Sequence, residues 1–316
     1  MKNNKCIYFL IGVLFIAVLF FSLTMLRAEE NQALDKLLLA EGNQVSHEIR
    51  GEMGDTSIQL QGEVRVEGPG TFTFNPREVE TLRPDIFQEG HFSLFDVLVY
   101  LKEEGHFEME YELDEELNTY VIHSLDGESD WWYSAYYDRG WPENSVFRMD
   151  HYPYKDGMHL EFVQVSADYL NSVYETYRGE VERKQNNDGR VVVPEVIIRG
   201  RNTTQLFEDV EINAHDLRDD IFHPGVITAI DVIKSLGEAG KISYDLQWYE
   251  SLGRAEIVKS YWVNRINDDE SYGRCGFVYE AGSPAFRRFR GNHNHIPSDT
   301  RVINSPKYVE YFWICI

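Results

Sequence analysis

A gapless internal repeat is the feature that most constrains how this sequence folds. Residues 82–105 match residues 217–240 at an offset of 135, and 11 of the 24 aligned positions are identical. Both copies open with the pattern Leu-Arg-x-Asp-Ile-Phe. Because self-similarity at a fixed spacing marks duplicated structural units, the sequence predicts two homologous domains, at residues 57–166 and 192–316.

A helix is predicted at the same place in each copy. Ser93-x-x-Asp96 and Thr228-x-x-Asp231 have the spacing of a capping box, in which the hydroxyl accepts from a backbone amide and the carboxylate reaches back. A glycine nine residues after each aspartate stands where helices commonly end. Capping therefore explains why the two aspartates are identical, and we assign them a structural role.

Strands are predicted on both sides of this helix. Alternating apolar residues at 63–66 and 195–198 indicate an opening strand, and the stretches 107–113 and 244–248 alternate again after the helix. One helix packed on a mostly antiparallel sheet is an α+β domain. The sequence therefore predicts two tandem α+β repeats.

The later part of the repeat aligns with gaps. Trp131-Trp132 is placed opposite Tyr261-Trp262, at an offset of 130. Residues 273–305 are then interpreted as an insertion in the second copy. Between the copies, residues 167–191 are interpreted as a linker that contains a helix over 167–183.

The amino-terminal segment predicts a compartment. Two lysines precede residues 6–26, a run of 21 residues without a charge. A helix of that length rises about 30 Å, which matches the hydrocarbon core of a bilayer. We therefore expect a signal anchor at 1–28 and a stalk at 29–56. Because positively charged residues before a membrane span usually remain in the cytoplasm, the remaining domains are expected outside the cell membrane. Cleavage of the signal would instead secrete the protein.

The net charge excludes one class of partner. With 30 basic and 53 acidic side chains the formal net charge is −23, whereas binding to nucleic-acid phosphates needs clustered Lys and Arg. Nucleic acid is therefore excluded as a partner.

The two exported cysteines, Cys275 and Cys315, either form a disulfide in an oxidising exterior or remain two buried free thiols.

The order of strand, capped helix, glycine and aromatic strand resembles the transcobalamin carboxy-terminal-like domain, a β-rich module of cobalamin carriers and bacterial surface proteins. The matching segments are Pro224–Ile233, Tyr261–Asn264 and Tyr154–Phe162. In the cobalamin carriers this domain closes over a ligand that a large helical domain also holds. The sequence itself predicts no cofactor, and this chain contains no such helical domain. A corrinoid is suggested by the resemblance alone, with the helical half supplied by a partner protein. The resemblance adds Trp262 and Asn264 to the candidate ligand-binding residues.

A dense aromatic segment is the strongest candidate binding surface. If residues 131–137 form a strand, alternate side chains point to opposite faces, and a domain of one sheet and one helix cannot bury both. Exposed rigid rings suit sugars, planar molecules and protein interfaces. The alternative is packing in the core and between domains. The candidate residues are Trp131, Trp132, Tyr133, Tyr136, Tyr137 and Trp141.

Two groups of side chains carry residue types that bind metals. His159 and Glu161 share a predicted strand face close in sequence to His151, and His293 and His295 lie together in a predicted loop. Neither group has the spacing of an established zinc motif, so both are weaker candidates than the aromatic segment.

These observations favour a membrane-anchored, extracytoplasmic binding or adhesion protein without catalytic activity. It would recognise a small molecule, a glycan or a protein through exposed aromatic rings. The sequence contains no Gly-x-Ser-x-Gly, His-Glu-x-x-His or phosphate-binding glycine loop. The alternatives are a structural subunit of the envelope or of a larger assembly, and a metal-dependent hydrolase that uses the histidines named above.

Overall fold

The computed structural model describes residues 62–137, 143–144, 146–155, 158–251, 258–286 and 296–315. The predicted signal anchor and stalk lie outside these residues, as do Trp141, His293, His295 and the side chain of Tyr137. In the part of the chain that is described, no helix is both long enough and apolar enough to cross a bilayer.

The described residues form three α-helices and fourteen strands. The helices are α1 (Leu94–Glu103), α2 (Ala167–Asn186) and α3 (Ala229–Glu238). The first seven strands are β1 (Gly62–Val66), β2 (Gly70–Phe74), β3 (Met109–Asp114), β4 (Thr119–Leu125), β5 (Trp131–Tyr137), β6 (Glu143–Asn144) and β7 (Met158–Gln164). The others are β8 (Val191–Arg199), β9 (Thr204–Ile212), β10 (Tyr244–Tyr249), β11 (Ser260–Ile266), β12 (Asp269–Glu270), β13 (Cys275–Gly282) and β14 (Tyr308–Cys315).

The two halves contain the same four-stranded arrangement. In the first copy, defined as β1–β7 with α1, the strand order is β2-β1-β7-β5, with β6 at the edge. In the second copy, defined as β8–β14 with α3, the order is β9-β8-β14-β13. In each copy the first two strands form an antiparallel hairpin and the last strand runs parallel to the first. The prediction of an α+β fold with two similar sheets is confirmed.

The strand pairing corrects the alignment of the later part of the repeat. Strand β5 pairs with β7 as β13 pairs with β14, whereas Trp262 lies on β11, the counterpart of β4. Placing Trp131-Trp132 opposite Tyr261-Trp262 is therefore wrong. Residues 273–305 are not an insertion, because they contain β13. The misalignment arises because the two hairpins that follow the helices differ in length. The connection from β3 to β4 has four residues, whereas the connection from β10 to β11 has ten.

Both predicted capping boxes are formed. The Ser93 hydroxyl accepts from the amide of Asp96 at 3.2 Å, and the Asp96 carboxylate accepts from the amide of Ser93 at 2.6 Å. In α3, Asp231 accepts from the amide of Thr228 at 2.7 Å. Asp96 also accepts from the amide of Leu82 at 2.9 Å. The same carboxylate therefore ties the start of α1 to the Leu-Arg-x-Asp-Ile-Phe segment.

That segment places an arginine in the interior of the first copy. The Arg83 guanidinium donates two hydrogen bonds of 2.8 Å to Asp85 and one of 2.6 Å to Asp150. Asp150 is fully buried and also accepts from the hydroxyl of Thr119. Burial raises the pKa of the Asp150 carboxyl, and the charge of Arg83 acts against that rise. A buried carboxylate needs such a partner, since an unpaired charge is costly in the interior.

The second copy repeats this arrangement. Arg218 donates to Asp220 at 2.8 and 2.9 Å and to Asp299 at 3.0 Å. Asp299 is fully buried and accepts from the amide of Tyr261 at 2.8 Å. In each copy the distant aspartate lies in the connection that precedes the last strand of the four-stranded arrangement, which is β7 in the first copy and β14 in the second. The repeated arginine therefore fastens the segment before the helix to the end of its own copy.

The same segment joins the two copies to each other. Phe87 and Phe222 form an antiparallel bridge, and their ring centroids lie 5.7 Å apart. Two backbone hydrogen bonds of 2.8 and 2.9 Å flank this pair, from Gln88 to Ile221 and from His223 to Ile86. Because each copy contributes the same positions, the contact has the reciprocal form of a two-fold interface.

Helix α2 starts where the sequence predicts a helix, at Ala167, and ends three residues beyond the predicted end, at Asn186. Its Tyr174 packs edge-on against Trp132, with ring centroids 6.3 Å apart. Its Arg183 donates from Nε to the carbonyl of Ser305 at 2.9 Å. The linker is therefore folded onto both copies.

A disulfide joins Cys275 at the start of β13 to Cys315 at the end of β14. The two residues are direct neighbours in the strand register. This decides between the two alternatives that the sequence leaves open, in favour of the bridge. A structural disulfide is typical of an oxidising compartment.

Replacing Arg83 by glutamine tests the buried ion pair. The change leaves Asp150 as a buried carboxylate without its guanidinium, and breaking such a pair costs about 3–5 kcal/mol. We expect the free energy of unfolding in urea to fall by that amount. Arg178→Gln is the matched control, because Arg178 pairs with Glu175 on the exposed side of α2, where a pair contributes less than about 1 kcal/mol. Equal losses in the two variants would contradict the prediction.

Removing the disulfide tests its contribution to stability. The bridge closes a loop between residues 40 positions apart, and the chain-entropy model gives about 4 kcal/mol for a loop of that length. We expect the double variant Cys275→Ala, Cys315→Ala to lose this amount in urea unfolding. Reductant should destabilise the wild type equally and leave the double variant unchanged. A wild type indifferent to reductant would show that the bridge stabilises nothing.

Candidate binding face of the first copy

Three of the four described rings of the predicted aromatic segment are buried. Trp131, Trp132 and Tyr133 expose 6%, 7% and 1% of their surface. Trp131 stacks on Phe162, and the Tyr133 hydroxyl donates to the carbonyl of Phe147 at 2.6 Å. Trp132 contacts helix α2 on the other side of the strand. Packing therefore accounts for these three rings. Trp131 and Tyr133 lie in the core, and α2 covers Trp132 on a face that one helix per domain would leave open.

Among the described rings of this segment, Tyr136 is the one that reaches a surface. It lies opposite His159 on β7, and the two rings stack with centroids 4.9 Å apart at an angle of 11°. Along β7, Leu160 and Phe162 are buried in the core, whereas His159 and Glu161 are half-buried. The stacked rings therefore stand on the outer face of the sheet.

These rings border an open cavity of about 520 Å³ on the outer face. Strand β1 contributes its alternate residues to this face, because Val64 and Val66 enter the core and the residues between them do not. The polar side chains that line the cavity include Glu63, Arg65, Thr71, Tyr136, His159 and Glu161. The result is a concave surface with many hydrogen-bonding groups and few apolar ones.

Acidic and basic side chains alternate across the face. His159 Nδ1 lies 3.7 Å from a carboxylate oxygen of Glu63, and Arg65 Nη1 lies 3.9 Å from one of Glu161. Water reaches all four groups, so neither pair contributes much to stability. Burial, with the carboxylates of Glu161 and Glu63 nearby, raises the pKa of the Tyr136 hydroxyl. That hydroxyl therefore stays protonated at neutral pH and can donate a hydrogen bond.

The equivalent face of the second copy is closed. Glu280, Tyr308 and Glu310, on β13 and β14, expose at most 1% of their surface. The Tyr308 hydroxyl donates to Glu280 at 3.0 Å, and Arg199 donates to Glu310 at 2.8 Å. The strand registers equate Arg65, Tyr136 and His159 of the first copy with Ile197, Gly282 and Tyr308 of the second. The fold itself therefore requires neither the stacked ring pair nor the arginine.

Of the predicted metal-binding residues that the structure describes, His151 does not lie near the other two. His159 and Glu161 lie on the open face, whereas His151 is 1% exposed in the interior. There its Nε2 lies 2.6 Å from Nη1 of Arg83, and its Nδ1 lies 3.3 Å from the amide nitrogen of Asn304 in the second copy. Among the described residues, no three His, Cys, Asp or Glu side chains form a group that could hold a metal ion.

The two residues suggested by resemblance lie on β11 of the second copy. Asn264 donates to Asp245 on the neighbouring strand at 3.2 Å. The indole N–H of Trp262 is buried and has no hydrogen-bond partner within the described part of the chain. The cavity of the first copy is lined by first-copy residues alone, so these two residues are not part of it.

Sequence reasoning missed Glu63, Arg65 and Thr71. A signal for the first two was present, because the alternation that predicts the opening strand also predicts that Glu63 and Arg65 point away from the core. The sequence did not indicate that β7, far along the chain, would pair beside β1 and complete the face. Sheet order depends on long-range packing that a local pattern does not encode.

The burial of His151 predicts a loss of stability in mild acid. Burial and the charges of Arg83 and Arg148 hold its pKa well below the usual range, so the folded chain keeps this imidazole neutral. The unfolded chain binds a proton at His151 below about pH 6.5. The unfolded state thus binds more protons, and stability falls as the pH drops through that value. This contribution is retained above pH 6.5.

Urea unfolding at pH 6.5 and pH 5.5 measures this effect. For one buried neutral histidine the expected loss between these values is about 1 kcal/mol. His151→Gln should lose about that much less than the wild type over the same interval. Identical pH dependence in the two proteins would show that His151 is protonated in the folded state.

Comparisons with known proteins assign no family to the chain. No protein-family model matches it, and no curated protein or solved structure is significantly similar to it.

Proposed function

We propose that this chain is a non-enzymatic, extracytoplasmic binding protein that is anchored in the membrane by its amino-terminal segment and holds a ligand on the outer face of the first-copy sheet. The uncharged run at residues 6–26 supports the anchor. The disulfide between Cys275 and Cys315 supports an oxidising exterior.

The difference between the two copies carries the proposal. Both copies retain the buried arginine, its two aspartates and the capping aspartate, which maintain the fold. The outer sheet face differs, since it is filled and buried in the second copy and opens into a cavity of about 520 Å³ in the first. A concave polar face that the fold does not require is a suitable position for a ligand.

The lining favours a neutral ligand rich in hydroxyl groups, such as a glycan. The carboxylates of Glu63 and Glu161 accept hydrogen bonds, whereas Arg65 and the Tyr136 hydroxyl donate them. Both signs of charge lie side by side, so the face gives no strong preference to a charged molecule. The net charge of −23 also repels anionic polymers.

The same groups favour binding over catalysis. The side chains of Arg65 and Glu63 are 69% and 52% exposed; Arg65 lies beside the carboxylate of Glu161, and Glu63 lies beside the imidazole of His159. Catalytic acids and bases are usually desolvated so that their pKa values are strongly perturbed. A hydrated face of paired charges recognises a ligand without activating it.

A thermal-shift assay on the full-length chain in detergent micelles tests the proposal. The probes are chitohexaose, cellohexaose and maltohexaose, three neutral hexasaccharides. A ligand at a hundredfold excess over its Kd stabilises the fold by about 2.7 kcal/mol, which raises Tm measurably. We expect at least one probe to do so, and we expect Tyr136→Ala and Glu161→Gln to remove much of the rise.

Glu108→Gln is the matched control for Glu161→Gln. It removes the same charge at an exposed position just before β3, outside the cavity, and should keep the wild-type response. A wild type that responds to none of the probes, and that assembles with concentration in sedimentation velocity, would overturn the proposal in favour of a structural role.

A further inference from the structure

An exposed tyrosine lies on the second copy, away from the candidate binding face. Tyr272 exposes 57% of its surface, the highest value among the large apolar side chains of the described residues. It follows the short strand β12 and opens the turn into β13. Its backbone is paired with Cys275 by two hydrogen bonds of 2.8 and 3.0 Å. The ring is therefore presented on a tight, hydrogen-bonded turn.

Two side chains support the Tyr272 ring from the sheet. The ring centroid of Trp313 on β14 lies 6.0 Å from that of Tyr272. The guanidinium of Arg201 lies 5.4 Å from the centroid of Trp313 and 5.9 Å from that of Tyr272. Cations are attracted to aromatic rings at these distances. We call Tyr272, Trp313 and Arg201 the aromatic platform.

The aromatic platform is held rigidly. Arg201 donates from Nε to Asp269 at 2.6 Å and from its backbone amide to the same carboxylate at 3.0 Å. Trp313 packs edge-on against Phe277, with centroids 5.2 Å apart. The disulfide from Cys275 to Cys315 joins the turn that carries Tyr272 to the strand that carries Trp313. A ring fixed in this way loses little conformational freedom when a ligand binds.

The first copy shows that the fold does not require this platform. Leu125 at the end of β4 corresponds in strand register to Ile266 at the end of β11, so Tyr272 lies in a longer connection to the next strand that the first copy lacks. The strand registers place Gln164 at the position of Trp313. The positions of the two cysteines are taken by serines, Ser129 and Ser166. The exposed ring, its support and the bridge therefore occur in the second copy alone.

The size of the exposed apolar area limits what the platform can bind. One ring is exposed, and the neighbouring side chains Asp268, Glu270 and Arg274 are exposed and charged. A stable protein interface needs about 1,000 Å² or more with an apolar centre, which one ring cannot supply. A single pyranose ring has an apolar face of matching size, with hydroxyl groups at its rim.

We propose that the aromatic platform is a carbohydrate-stacking site, in which Tyr272 packs against the apolar face of one sugar ring and the adjacent charged side chains hydrogen-bond to its hydroxyls. Aromatic side chains suit this role because one end is apolar and the other polar. This site does not depend on the first-copy face. If both bind, a long glycan that spans them gains avidity from the second contact.

Isothermal titration of the full-length chain in detergent micelles with chitohexaose and cellohexaose tests this proposal. We expect Tyr272→Ala to weaken binding of at least one probe by about tenfold, which corresponds to the upper range of an aromatic contact. Tyr272→Phe keeps the ring and should bind within about twofold of the wild type. Leu206→Ala is the matched control, because Leu206 is 56% exposed on the same sheet and should change nothing.

Several outcomes overturn the proposal. It fails if the wild type binds neither probe, or if Tyr272→Ala binds as the wild type does. Tyr136→Ala in the same titration separates the two sites. Loss of binding in Tyr136→Ala with an unchanged Tyr272→Ala would reject the aromatic platform and retain the first-copy face. The opposite pattern would retain the platform and reject that face.

Discussion

The buried arginine of each copy is the interaction on which the rest of the structure depends. Arg83 and Arg218 each hold one aspartate two residues away and a second one from a distant part of the same copy. This fixes the segment before the helix against the end of the sheet. The same segment receives the capping carboxylate of α1 and carries the phenylalanine that meets the other copy. The position of the helix, the closure of the sheet and the contact between the copies therefore all depend on this buried ion pair.

The second copy serves as an internal reference for the first. Both contain a tyrosine whose hydroxyl donates to a backbone carbonyl at 2.6 Å, Tyr133 in one and Tyr279 in the other. Features common to both copies are those that the fold needs. The stacked Tyr136 and His159 and the exposed Tyr272 each occur once, and each lies where water can reach it. The comparison within one chain therefore separates side chains that maintain the fold from those free to bind.

Much of the fold could be predicted because local patterns encode it. Ser93 and Asp96 mark the start of a helix within four residues, and the repeat placed the second helix by analogy. The pairing of β7 with β1 could not be predicted, since it joins strands far apart in the chain. The burial of Trp132 was also hidden, because the covering helix α2 lies in what looked like a linker. Part of the site could be predicted, since Tyr136, His159 and Glu161 were candidates. The placement of Glu63 and Arg65 beside them could not, because it depends on the strand order of the sheet.

The helical linker has a consequence for the contact between the copies. Helix α2 is 20 residues long, or about 30 Å, and packs on both halves, so it connects the two phenylalanine-bearing segments at short range. Their effective concentration is then of the order that short linkers produce, in the millimolar range. One ring pair and two backbone hydrogen bonds are too few to hold two free domains together. Within one chain the high effective concentration supplements them, as does the packing of Phe286, Ile296 and Val302 of the second copy into the hydrophobic core of the first.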